Sequence, residues 1–147
     1  MKKFILDTNL YIDALRNAAA AILFEGHYRA LLPSIHMSSV VVQELLAGAE
    51  SQVHSAKLER DMLRPFERRG RIVAPSHEAW RRSGQVLAAL ARRNGLDLRR
   101  VPKSFVNDIL IALSCREAGA TLVTNNLDDF ARIRAEVDFE YTAPWPG

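Results

Sequence analysis

The sequence predicts an α/β protein in which a central parallel sheet is flanked by helices to give three layers. Short apolar runs that end in polar turns, such as Phe4-Ile5-Leu6 before Asp7, have the form of buried parallel strands. Between them lie longer stretches whose apolar residues recur at helical spacing, so strand and helix alternate along the chain. The length of 147 residues fits one domain, 1–147, with a core of ordinary size.

The elements follow in order. Phe4 to Leu6 is the first strand. Tyr11, Ile12, Leu15, Ala18, Ala19, Ile22 and Leu23 then mark a helix that runs to about Leu32, where Pro33 stops it. Ile35 to Ser38 supplies a second strand, and Ser39 is placed to cap a helix over Val40 to Ala47 that ends at Gly48. A long amphipathic stretch from Ser51 to Arg69 ends at Gly70, and Arg71 to Ala74 is a weak third strand. Ser76 caps a helix from His77 to Arg93, terminated by Asn94-Gly95. Leu96 to Ser104, with Pro102, is a loop; helix resumes at Phe105 and ends at Gly119. Thr121 to Thr124 is a strand, Asp128 to Arg134 a short helix and Phe139 to Tyr141 a last strand.

Composition excludes several classes. The 48% hydrophobic and 25% charged fractions are those of an ordinary soluble protein, and no apolar run approaches the ~20 residues of a membrane span. The positive start Met1-Lys2-Lys3 meets Asp7 too soon for a secretory signal, and the single Cys115 fits a reducing cytoplasm as a buried, inert thiol. His27, His36, His54 and His77 lack paired ligand spacing, so a zinc centre is unsupported. No Walker loop, GxGxxG or GxSxG is present. Charge is uneven: Lys57 to Lys103 holds thirteen Lys/Arg against five acids, the rest of the chain seven against twelve. A basic middle beside acidic ends suits a polyanion lying over one part and a cation held in the other, although two solvated arginine-rich helices would read the same way.

Four acids stand where carboxylates should be scarce. Asp7 ends Phe4-Ile5-Leu6, Glu44 lies in Val40-Val41-Val42-Gln43-Glu44-Leu45-Leu46, and Asp108 heads Ile109-Leu110-Ile111-Ala112-Leu113. Asp129 follows Thr124-Asn125-Asn126-Leu127-Asp128. None of these segments contains Lys or Arg, so a bound cation is the natural partner for the buried charge. Hard oxygen ligands select Mg²⁺, or Mn²⁺, rather than a softer metal. Glu44 also reads as a solvated charge on a ragged helix, and the other acids have plain structural roles open to them. Asp7 can cap the following helix, Asp108 can sit in a favourable first turn, and Asn126 with Asp129 has capping-box spacing.

Taken together, Asp7-Thr8-Asn9 after a first strand, Glu44 in Val-Gln-Glu-Leu-Leu, Asn107-Asp108-Ile109-Leu110-Ile111-Ala112 and Thr124-x-Asn126-x-x-Asp129-Phe130 resemble the PIN-domain ribonucleases, most closely the VapC-type toxins of toxin–antitoxin pairs. The resemblance spans Phe4 to about Ile133 and rests on the order and spacing of the motifs. It implies a three-layer PIN-like fold and an Mg²⁺-dependent endoribonuclease that leaves a 5′-phosphate and a 3′-hydroxyl. A homodimer and a cognate antitoxin covering the active site are also implied. By motif match Asp7, Glu44 and Asp108 are the central acids and metal ligands. Asn126 and Asp129 occupy the last acidic motif, in which many relatives carry Asp where Asn126 stands. Thr8, Asn9 and Thr124 are expected to orient carboxylates or waters, and Arg92, Arg93, Arg99 and Arg100 to track the RNA backbone. The rival readings are a PIN-like module that binds RNA or protein without cutting, and a phosphohydrolase of small esters. The second is disfavoured because Asp7-Thr8-Asn9 lacks the second aspartate of a DxD nucleophile motif.

Overall fold

The computed structural model describes residues 2–146. Its strands are β1 (Lys3–Leu6), β2 (Ile35–Ser38), β3 (Ile72–Val73), β4 (Ala120–Val123) and β5 (Glu140–Thr142). All pair in parallel, in the order β3-β2-β1-β4-β5. A parallel pair needs a crossover, and the intervening helices supply it. Ile5, Leu122 and Val123 are fully buried, as expected of central strands covered by helices, so Phe4-Ile5-Leu6 and Leu122-Val123 are apolar runs rather than alternating ones.

The order of strands fixes where a ligand would sit. From β1 the chain steps outward through β2 to β3, then returns to the other side of β1 as β4 and continues to β5. The direction reverses between β1 and β4, and a crevice opens outside the carboxyl ends of two strands at such a point. Their register pairs Leu6 with Val123, so the next residues, Asp7 and Thr124, emerge side by side.

The helices are α1 (Thr8–Arg16), α2 (Ala18–Leu31), α3 (Ser39–Ala47), α4 (Gln52–Leu58), α5 (Arg64–Arg68), α6 (His77–Asn94), α7 (Lys103–Ala118) and α8 (Leu127–Arg134). α7 is buried continuously from Asn107 to Cys115 and packs against α3, α6, α8 and β4. Such a helix must be apolar nearly all round, which is why its sequence shows no polar face. α6 and α7 both end on glycines in the left-handed region, Gly95 at φ 68° and Gly119 at φ 65°, which release the chain into the next turn.

Several element ends lie one or two residues from the sequence expectation, α7 beginning at Lys103 rather than Phe105, and three features differ in kind. The helix expected to run unbroken to Leu32 is two helices, divided at Asn17. Asn17 leaves the helical region, its N–H closes α1 on the Asp13 carbonyl at 3.0 Å, and its Oδ1 accepts the Ala20 N–H at 3.1 Å. One polar side chain thus ends one helix and caps the next, where spacing alone showed a continuous stripe. Ser38 rather than Ser39 caps α3, accepting from the N–H groups of Val40 and Val41. The stretch from Ser51 to Arg69 is interrupted by a π-type turn over Glu59–Leu63, in which the Arg64 N–H reaches back to Glu59. Pro65 has no N–H to continue the ladder, and the wider turn absorbs the break.

α2 contains no fully buried residue. It is held through Phe24 and Tyr28, stacked at 4.8 Å, which meet Tyr11 of α1 from one side and Trp145 from the other. The central strands carry most of the core's cohesion by contrast. Leu122→Ala, in the middle of the sheet, should cost about 2–5 kcal/mol. Chemical denaturation measures this, and an unchanged midpoint would mean that β4 does not hold the core as described.

Candidate active site

At the crevice the acids are arranged by short hydrogen bonds, each traceable to its position in the chain. Asp7 ends β1 and caps α1, its Oδ1 accepting the Thr8 N–H at 2.8 Å. Its Oδ2 accepts the Thr124 hydroxyl at 2.7 Å. The same Thr124 oxygen accepts the Asn126 N–H at 2.9 Å, so its proton is committed to Asp7. Thr8 turns its own hydroxyl the other way and donates to Glu44 Oε1 at 2.7 Å, tying α1 to α3.

Asp108, buried in the second turn of α7, completes the group. The Asn126 side-chain amide donates to Asp108 Oδ2 at 3.4 Å and to Asp129 Oδ2 at 3.1 Å. The capping-box reading of Asn126 and Asp129 is therefore corrected: the Asn126 side chain caps nothing and bridges two carboxylates instead. Two acids can approach because the amide lies between them with both its hydrogens turned outward.

The electrostatic consequence is large. Burial raises the Asp108 carboxyl to about 8, and the charges of Asp7, Glu44 and Asp129 add to the effect. Burial also holds Asp7 above the usual carboxylate range, against the hydrogen bonds of Thr124 and Thr8, with the Glu44 charge adding. Neither group has a lysine or arginine among the causes of its shift. Carboxylates gathered without a protein cation are a site for an external one.

The donor set fits Mg²⁺ or Mn²⁺ in a particular way. No group of three His, Cys, Asp or Glu side chains among the described residues encloses one ion as placed. Mg²⁺ does not require such a cage: it keeps several waters and takes one or two carboxylates directly, whereas a dehydrated, all-protein site would suit other ions. Asp7 and Asp108 are the buried pair, and Glu44 and Asp129 lie at the half-buried rim.

The other residues expected at the site separate into two groups. Thr8 and Thr124 are buried and hold carboxylates, whereas the exposed Asn9 makes no side-chain hydrogen bond among the described residues. Arg93 is engaged by Glu136 at 2.6 Å, and Arg100 lies 3.7 Å from Asp97. Arg92 and Arg99 are exposed, with no ion-pair partner among the described residues. Sequence reasoning placed the cationic contacts in the middle of the chain and passed over Arg132, whose guanidinium lies 3.9 Å from Asp129. Its three-residue spacing from Asp129 on a helix was the available signal. Beside Glu44 a groove of about 620 Å³ opens between α1, α2, α3 and α4, with Ile12, Leu15, Phe24, Leu45, Leu58 and Met62 in its walls.

The raised carboxyl of Asp108 gives the protein a signed pH dependence of stability. A carboxyl whose folded pKa exceeds its unfolded value holds its proton in the folded state while the unfolded chain has lost it. Stability therefore falls as pH rises from about 4 towards about 8. Metal-free protein should melt at a lower temperature at pH 8 than at pH 5.5, Asp108→Asn should shrink that difference, and Mg²⁺ should restore stability at pH 8 with release of a proton. Thermal melts across pH with and without Mg²⁺ decide it; a metal-free protein that gains stability with pH in both forms would contradict the burial of Asp108 as the cause.

Comparison with known proteins identifies the family. The PIN domain family model matches residues 4–136. The chain is 32% identical over 134 residues to a tRNA(fMet)-specific endonuclease VapC of Shigella flexneri, covering 90% of this chain and 93% of the relative. It is likewise 32% identical to Ribonuclease VapC2 of Haemophilus influenzae, covering 92% and 95%. The crystal structure of DNA-bound VapBC from Salmonella typhimurium superposes with a TM-score of 0.68 at 27% identity, covering 97% of this chain and 98% of that one. The buried carboxylates at the β1–β4 crevice thus belong to a PIN-domain protein of the VapC type.

Proposed function

We propose that this chain is a Mg²⁺-dependent endoribonuclease, the toxin of a toxin–antitoxin pair. The observation that carries the reading is the convergence of Asp7, Glu44, Asp108 and Asp129 at one crevice, with no lysine or arginine acting on the two buried carboxyls, Asp7 and Asp108. The nuclease names of the VapC relatives support it, and tRNA is the first RNA to test because one relative is named for it.

Asp7 and Asp108 would hold the ion, with Glu44 or Asp129 reaching it directly or through water. When bound, Mg²⁺ supplies neutralisation of phosphate charge and acidification of water, which makes phosphodiester hydrolysis accessible near neutral pH. The chain's own groups do the rest. Thr124 fixes the rotamer of Asp7 and Thr8 that of Glu44, so both carboxylates are set before RNA arrives. Thr8 occupies only Oε1 of Glu44, which leaves Oε2 to take the proton of the attacking water. The Asn126 amide holds Asp108 and Asp129 at a fixed separation by donating to both.

The partner side of the reading is an antitoxin protein, supported by the likeness to a VapBC complex. The apolar groove beside Glu44 offers it a surface next to the acids. A homodimer and a cytoplasmic location complete the proposal. No helix among the described residues is long and apolar enough to cross a membrane.

Asp7→Asn and Asp108→Asn should each lower RNA cleavage by about 100-fold or more and weaken Mg²⁺ binding, with the circular dichroism of the folded protein retained. Cleavage of tRNA by purified protein, with and without EDTA, is the test. Full activity in either variant, or activity undiminished by EDTA, would overturn the proposal.

A further inference from the structure

We infer that Arg132 anchors an RNA backbone phosphate next to the scissile one and so positions the strand against the carboxylates. The inference rests on the nuclease reading above. Arg132 lies one turn after Asp129 on α8, and its side chain is 45% exposed. Its guanidinium carbon stands 4.9 Å from the centre of the Phe105 ring. Phe105 is in the first turn of α7, three residues before Asp108, so the same helical face carries the ring and the acid.

The stacked position explains what the guanidinium does not do. An arginine this close to a carboxylate normally closes a bidentate pair at hydrogen-bond distance. Here the nearest Asp129 oxygen is 3.9 Å away, too far for a hydrogen bond. The guanidinium lies over the Phe105 ring while its donors find no hydrogen-bond acceptor among the described residues. A planar fork that is already oriented, with free donors, is suited to phosphate oxygens and loses little freedom on binding them.

Its neighbours are committed elsewhere. Arg93 is bound by Glu136, Arg81 by Glu78 and Arg134 by Asp138. Arg132 stands 3.9 Å from Asp129, and the Asn126 amide joins Asp129 to Asp108 by hydrogen bonds, so its charge lies beside the acids without closing on them. An RNA whose scissile phosphate lies at Asp7 and Asp108 presents further phosphates on each side, and Arg132 meets one on the side where α7 and α8 join.

A purely structural arginine would only shield Phe105, and two substitutions separate the roles. Arg132→Met keeps an apolar cover without charge; Arg132→Lys keeps the charge without the planar fork. On a short single-stranded RNA with saturating Mg²⁺, Arg132→Met should raise KM about tenfold and leave kcat within about threefold. In an Asp108→Asn background, which removes cleavage, the slope of log affinity against log salt should flatten by about 0.7 with methionine and keep its value with lysine. Methionine with the wild-type KM and slope overturns the inference, and so does a loss that follows thermal stability equally in both variants. Failure of the wild-type protein to cut any RNA sinks the nuclease reading instead; the salt slope then decides independently whether Arg132 meets RNA.

Discussion

The parallel pairing of β1 with β4 is the constraint on which the rest depends. Because Leu6 and Val123 are partners, the first polar residue after each strand is delivered to the same point, and the Asp7–Thr124 hydrogen bond closes across 117 positions of sequence. β1 runs directly into α1 and β4 into the turn before α8, so both helices inherit their origin from that point. α7 then brings Asp108 to it from above the sheet. The site is therefore a consequence of strand order, since reversal of direction between β1 and β4 leaves their carboxyl ends uncovered by a crossover.

Against that geometry works the repulsion of like charges in a buried place. The fold answers it with neutral donors rather than with lysine or arginine. Two threonine hydroxyls, a backbone N–H and one side-chain amide stabilise the carboxylates without neutralising them. A salt bridge would have been the more stable solution for the isolated chain, but it would occupy the oxygens that a cation needs. Arg132, the arginine beside Asp129, lies over the Phe105 ring and stays 3.9 Å from the carboxylate.

Much of this was legible in the residues. Apolar runs stopped by Asp7 and by Thr124 announced strands ending at a polar edge, and strand–helix alternation gave the parallel sheet. Acids without nearby cations announced the crevice. What could not be read was how polar side chains divide their hydrogen bonds. Asn17 looked like an ordinary helix position, yet its side chain starts a new helix. Asn126 had the spacing of a cap but spends its amide on carboxylates, because Asp108 arrives from a distant helix that local sequence does not mention. Pairing of Arg93 with Glu136 is equally remote, across 43 positions, and removes from the basic stretch a charge that composition had counted as available.

Asn126 also shows why a neutral residue suits this place. Four acids already share the crevice, and their mutual repulsion adds to the burial that lifts Asp108 to about 8. An aspartate at 126 would add a fifth charge and remove the one side-chain donor that Asp108 and Asp129 share among the described residues. Without a cation the acids would then have to take up protons or separate. With the amide present, one neutral donor holds the two carboxylates at their spacing. Asn126 thus serves by holding apart what the fold has forced together, a role that its hydrogen bonds define and that its charge would have destroyed.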